Sequence, residues 1–220
     1  MFDSLLRTSI TTPPSEQVPT APRRKKIVVA MTGATGALLG IRVLIALRRL
    51  NVETHLVLSK WAEATIKYET DYHPSNVKAL ADHVYAVNDM AAPVASGSFR
   101  TDGMLVVPCS MKTLAAISCG FCDDLIARTA DVMLKERRRL VLVTRETPLS
   151  DIHLRNMLAV SQSGAVIFPP VPALYIKPAS VEELIDQSVG RMLDLFDLDT
   201  GEFERWNGWG KDKEKEKEKA

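Results

Sequence analysis

The chain has 220 residues, 46% of them hydrophobic and 25% charged, with a formal net charge of +1. That length and balance suit one α/β domain with its own core, and near-neutrality offers nucleic acid no electrostatic handle. No apolar run reaches the roughly 18 residues needed to span a bilayer, so neither nucleic acid nor membrane is expected as a partner.

Residues 1–24 are rich in proline, serine and threonine and lack any hydrophobic period. They read as a disordered extension or a leader. Arg7, Arg23 and Arg24 suit a mitochondrial leader, whereas Asp3 and Glu16 do not, so the expected location is mitochondrial or otherwise cytoplasmic. Residues 25–209 form the expected domain. From 210 to 220 the chain becomes an alternating Lys and Asp/Glu tail that places like charges at i,i+4 and reads as solvated and disordered.

The apolar run Ile27 to Met31 predicts a strand buried on both faces. It ends in Thr32 to Gly36, and a helix follows from about Ala37 to Leu50, with Leu38, Ile41, Leu44 and Ile45 on its inner face. A second strand spans Thr54 to Leu58, followed by Ser59 and a helix through Ile66. Residues 88–98 form a long loop broken by Pro93 and Gly97. Gly103 to Val107 is a buried strand, after which Ser110 can cap a helix. Asp123 or Asp124 opens another helix, which ends at the basic run 135–139. Strand Leu140 to Val143, helix 151–162, strand 164–168, a proline-rich loop 169–178 and helix 180–196 complete the body. Strands separated by helices imply a parallel sheet in a three-layer fold, and ligands of such sheets sit at the strands' carboxyl ends. Four loops therefore matter: 32–36, 59–60, 108–113 and 144–148.

The first loop is glycine-rich and opens a helix, whose free N–H groups and dipole suit an anion; a ligand-free tight turn is the competing reading. Gly33, Gly36 and Gly40 also approach a dinucleotide fingerprint. Yet the second strand ends in Ser59 and Lys60 rather than an acid for the ribose, and no tyrosine has Lys four residues on, as short-chain dehydrogenases require. The turn of Ser110, Met111, Lys112 and Thr113 is either a helix cap or a ligand loop. Arg145 and Glu146 follow a buried strand, where charge is costly unless paired or used. They read either as a structural ion pair or as a general acid/base beside an anion-holding cation. The odd set Cys109, Cys119 and Cys122 argues for a reducing compartment and small core residues, not zinc. His55, His73, His83 and His153 are scattered along the chain and suggest no metal site.

Together the stretches MTGATGA (31–37), SK (59–60), ETD (69–71), ASGSF (95–99), PCSMKTLAAI (108–117), ARTADVMLKERR (127–138), LVLVTRETPL (140–149), GAVIFPPVPALY (164–175) and RW (205–206) closely resemble flavin prenyltransferases of the UbiX type. The resemblance runs from about residue 26 to 209. It implies a Rossmann-like or flavodoxin-like fold, a homododecamer, and transfer of a dimethylallyl group from dimethylallyl phosphate to N5 and C6 of reduced FMN, with no metal. The product, prenylated FMN, serves a partner decarboxylase of the UbiD type. By motif, Gly33, Ala34, Thr35, Ser59, Ser110, Met111, Lys112, Thr113 and Arg128 would bind FMN. Lys135, Arg145, Tyr175 and Arg191 would hold the prenyl phosphate, Glu146 would move the proton, and Glu69 would be a second carboxylate nearby, with Thr35 beside the flavin N5. Two positions depart from the family pattern: Thr35 stands where Ser is usual and Arg139 where Pro is usual. A phosphopantothenoylcysteine-type decarboxylase and a non-catalytic FMN-binding regulatory subunit are the alternatives. The substrate motif of the first is missing, and the second would not need Glu69 and Glu146.

Overall fold

The computed structural model describes residues 23–206 and 208. The expected leader falls almost wholly outside the described residues, and the charged tail entirely so.

Six strands form one all-parallel sheet: β1 (Lys26–Met31), β2 (Glu53–Leu58), β3 (His83–Tyr85), β4 (Gly103–Cys109), β5 (Arg139–Thr144) and β6 (Val166–Ile167). Their order is β3-β2-β1-β4-β5-β6, the Rossmann arrangement, with β1 and β4 at the centre. The connecting helices are α1 (Ala37–Arg49), α2 (Lys60–Glu69), α3 (Pro74–Lys78), α4 (Met111–Cys119), α5 (Leu125–Lys135), α6 (Asp151–Gln162) and α7 (Val181–Asp194). This is the expected three-layer α/β fold. Alternate side chains of β1 divide the core. Ile27, Val29 and Met31 pack beneath α1 and α7, while Val28 and Ala30 pack beneath α4 and α5.

Four elements depart from the sequence reading. Helix α3 and strand β3 were not foreseen: the helix is five residues long, and the edge strand is three residues with an exposed Val84. Strand 164–168 shrinks to two residues. Strand β4 continues through Pro108, with a register shift between Val106 and Cys109. The inner face of α1 is also offset from expectation. Its buried stripe includes Ala37, Gly40, Ile41, Leu44 and Leu47, whereas Leu38 and Ile45 stay partly exposed.

Gly40 shows how tightly α1 is seated. A Cβ there would lie 2.6 Å from the carbonyl oxygen of Val107 and 2.7 Å from Met31 Cε. A backbone oxygen in a central strand cannot give way, so Gly40→Ala is expected to cost about 1–3 kcal/mol through overpacking. A urea melt checks this; an unchanged midpoint would mean that α1 can shift outward freely.

Candidate active site

The carboxyl ends of β1, β2 and β4 are tied together by backbone. Ser59 N–H donates to the Met31 carbonyl at 3.0 Å, and Thr32 N–H to the Pro108 carbonyl at 3.1 Å. Thr32 Oγ1 donates to the same Pro108 oxygen at 2.9 Å and accepts from Ser110 N–H at 2.7 Å. The glycine loop, Ser59 and the 110–113 turn are thereby fixed along one edge, as expected for a ligand site.

The hydroxyls there act first as caps. Ser59 Oγ accepts from Ala62 N–H at 3.1 Å, and Ser110 Oγ accepts from Thr113 N–H at 3.3 Å and donates to Thr113 Oγ1 at 3.2 Å. Each cap serves one N–H, leaving other first-turn donors of α2 and α4, including those of Met111 and Lys112, without an intrahelical acceptor. The Lys112 side chain is exposed and lies 4.0 Å from Asp123.

The start of α1 differs from the sequence reading. Glu69, at the end of α2, reaches back so that its Oε2 accepts from Gly36 N–H at 2.9 Å and Ala37 N–H at 3.0 Å. A carboxylate of the chain itself thus occupies the helix end where an anionic ligand was expected. Nothing in the spacing of Glu69 signals this contact; only the ETD motif drew attention to it. Gly33 likewise has a packing reason, because a Cβ at that position would fall 2.3 Å from Trp61 Cβ.

A cleft of about 290 Å³ opens beside Thr35, bounded by Leu38, Leu39, Arg145, the prolines 170 and 172, and Leu184, Ile185 and Ser188 of α7. Among the described residues Arg145 is the one charged side chain in this wall, and the remainder is mainly apolar. Such a cleft suits a small apolar group bearing an anion. Arg145 and Glu146 are both exposed, so burial imposes no cost on them, contrary to the sequence argument. They do not pair with each other. Arg145 forms no salt bridge among the described residues, and Glu146 Oε1 accepts from Thr147 N–H at 3.0 Å. The structural ion-pair reading therefore fails.

The other expected residues are not gathered at this cleft within one chain. Lys135 ends α5 at the opposite edge of the sheet, next to Glu136. The six-residue β5 separates that edge from Arg145, a span of roughly 20 Å. Arg128 faces the 88–98 loop, donating to the Ala95 carbonyl at 3.1 Å and to Asp131 at 2.8 Å. Arg138 pins the same segment, donating to the carbonyls of Phe99 and Gly97. Tyr175 and Arg191 belong to a third group. The Tyr175 hydroxyl accepts from Gln187 Nε2 at 2.9 Å, its ring meets Trp206 edge-on, and Arg191 pairs with Asp194 at 2.9 Å. Arg205 grips the same Asp194 with two bonds of 2.8 Å, so the RW motif clasps the segment after α7 back onto that helix.

Burial pushes the Cys109 thiol up to about 12, which removes it as a thiolate near neutral pH. Cys119 is exposed and Cys122 half-buried, so only Cys109 is the core residue expected of all three. Two of the scattered histidines do meet. His55 Nε2 lies 3.1 Å and His83 Nε2 3.7 Å from Glu53 Oε1 at the start of β2. Burial holds His55 below its ordinary pKa, only partly offset by Glu53. The two rings stack at 4.6 Å and 16°, and Lys26 Nζ sits 3.0 Å from the same Glu53 oxygen, so the Glu53 carboxylate is shared by both imidazoles and an ammonium.

The Flavoprotein family model matches residues 15–198. The mitochondrial flavin prenyltransferase PAD1 of Saccharomyces cerevisiae is 61% identical over 85% of this chain and 77% of its own length. Among solved structures, AnUbiX (PadA1) in complex with FMN and dimethylallyl pyrophosphate is 85% identical, with a TM-score of 0.84 over 85% of this chain and all of that one. The dodecameric FMN-dependent UbiX-like decarboxylase of Escherichia coli O157:H7 is 56% identical, with a TM-score of 0.82 over 83% of this chain and all of that one.

Proposed function

We propose, for a chain that belongs to the UbiX-type flavin prenyltransferases of the Flavoprotein family, a division of labour between its strand-end edge and its apolar cleft. The enzyme transfers a dimethylallyl group to FMN, which it binds as a substrate. The observation that carries the reading is the cleft itself, an apolar wall with the uncommitted cation Arg145 beside Thr35 of the glycine loop.

The residues present suit a flavin phosphate at the α2 and α4 helix starts. Ser59 and the turn of Ser110, Met111, Lys112 and Thr113 bring donors there, whereas the α1 start is taken by Glu69. Gly33, Ala34 and Thr35 then border the ring. Bound reduced FMN supplies electron-rich N5 and C6 positions to the allylic carbon. Arg145 takes up charge on the phosphate as the carbon–oxygen bond breaks and the N5–carbon bond forms, the N5 proton leaving with the phosphate. The bond to C6 forms at the expense of the transferred group's double bond, which takes up a proton on its other carbon, and Glu146 would receive the proton that C6 gives up.

Lys135 and Arg128 enter this account through a neighbouring copy, since their own chain holds them away from the cleft. The surface supports such assembly. Helix α6 exposes Ile152, Leu154 and Leu158, and α2 exposes Trp61 at 72%. Apolar exposure on that scale marks contact surfaces, and the Escherichia coli relative is dodecameric. No helix among the described residues is long and apolar enough to cross a membrane. The yeast relative is named as mitochondrial, which supports the same location for this chain.

The product is read as the cofactor of a UbiD-type decarboxylase. To test this, the chain is incubated anaerobically with reduced FMN and dimethylallyl phosphate, and the protein-free filtrate is added to a cofactor-free decarboxylase. Release of carbon dioxide from an aromatic acid is expected only when both substrates were present. Carbon dioxide released by the chain alone would favour a decarboxylase, and bound flavin with neither activity would favour a regulatory subunit.

A further inference from the structure

Gln187 lies in the middle of α7 and is 2% exposed. Its Nε2 donates to the Tyr175 hydroxyl oxygen at 2.9 Å, while its Oε1 has no hydrogen-bond partner among the described residues. A buried amide with one end unsatisfied costs stability, and a hydrophobic residue of similar length would avoid that cost. The amide must therefore do something that an apolar side chain cannot.

A phenol has one hydrogen and two acceptor lone pairs. With Gln187 donating into one lone pair, the phenolic hydrogen cannot point at the amide and must be offered elsewhere. Tyr175 is half exposed, which leaves that hydrogen free to meet a ligand, and Trp206 meets the ring edge-on at 5.6 Å and 81°. Phosphate oxygens only accept hydrogen bonds at neutral pH. A tyrosine held as an obligate donor is thus matched to a phosphate ester and mismatched to a cationic or donor-bearing ligand.

We propose that Gln187 is a positioning residue that fixes the Tyr175 hydroxyl as a hydrogen-bond donor to the phosphate of the prenyl substrate. This rests on the reading of Tyr175 as a phosphate ligand: Tyr175 does not line the cleft wall itself, but α7, to which Gln187 ties it, does so through Leu184, Ile185 and Ser188. Gln187 itself does not touch the substrate; it sets which way one proton points.

Three variants of the full-length chain test this through steady-state prenyl transfer to reduced FMN. Gln187→Met, which keeps length and removes the amide, should raise KM for dimethylallyl phosphate about three- to tenfold. It should leave FMN affinity unchanged and the melting temperature equal or higher, because the orphaned acceptor is gone. Gln187→Glu presents an acceptor that captures the phenolic hydrogen. Its KM should rise further at high pH and recover as pH falls, when the protonated carboxyl can donate as the amide does. In a Tyr175→Phe background, neither substitution should change KM again. A Gln187→Glu enzyme with unaltered KM across pH would overturn the proposal, as would an undiminished Gln187→Met effect in the Tyr175→Phe background. Should Gln187→Glu fail to fold, the Gln187→Met and Tyr175→Phe pair decides alone. If Tyr175→Phe itself leaves KM untouched, the phosphate-ligand reading fails first. If only the Gln187 variants are silent, that reading stands and the positioning role falls.

Discussion

Glu146→Gln is expected to retain FMN and to slow prenyl transfer by about 10²–10⁴-fold, the range for removing a general acid or base. Closing the second bond, the carbon–carbon bond at C6, requires a ring proton to leave, and an amide of the same shape cannot take it. Glu146 stands on the loop after β5, and β5 is anchored by five consecutive buried residues. The far side of the loop is held by the cap of α6, where Ser150 Oγ accepts from His153 N–H at 3.3 Å. One carboxylate oxygen is engaged by Thr147 N–H, which orients the group. Among the described residues Glu146 makes no cap or ion pair that the fold depends on, so Gln should leave the melting temperature unchanged. Single-turnover measurements under anaerobic conditions, with FMN affinity measured separately, read the two effects apart. An undiminished rate would remove Glu146 from proton transfer.

Arg145→Ala should raise KM for the prenyl donor by about 10- to 100-fold with FMN affinity within a factor of two, since a charge-assisted contact contributes about 1.5–3 kcal/mol. Arg145 is the charged residue of the cleft wall, and no carboxylate among the described residues neutralises it. Its full charge is available to a departing phosphate, and an apolar surround strengthens that attraction. Arg191 contrasts with it. Its guanidinium already pairs with Asp194, so Arg191→Ala should weaken donor binding less unless the ligand displaces that pair. Titration calorimetry with donor and with FMN distinguishes the roles. Loss of FMN binding in Arg145→Ala would place the residue at the flavin instead.

The fold was largely legible because its signals are local. The runs Ile27 to Met31 and Leu140 to Val143 are too apolar for anything but central strands, and Ser59, Ser110 and Asp124 announce helix starts by their chemistry. What escaped was short or peripheral: β3 has three residues at a sheet edge, too few to show a period. The site was legible only at the strand ends. Thr35 and Arg145, on the loops after β1 and β5, line one cleft, but the Glu69 contact with Gly36 and the Gln187 contact with Tyr175 join residues 33 and 12 positions apart through tertiary packing. No spacing rule encodes such pairs. Lys135 was placed by motif, and a motif does not state how far from the other motifs the fold sets it. Gly33 illustrates the reverse error, since a glycine that suggested ligand approach is also required by Trp61.

The account stands on one reaction in one cleft, and mass spectrometry of the flavin tests it most directly. After anaerobic incubation of the full-length chain with reduced FMN and dimethylallyl phosphate, the flavin should gain the mass of one dimethylallyl unit, and inorganic phosphate should appear in equal amount. Flavin recovered at its starting mass, with the donor intact and the protein folded, would contradict the account.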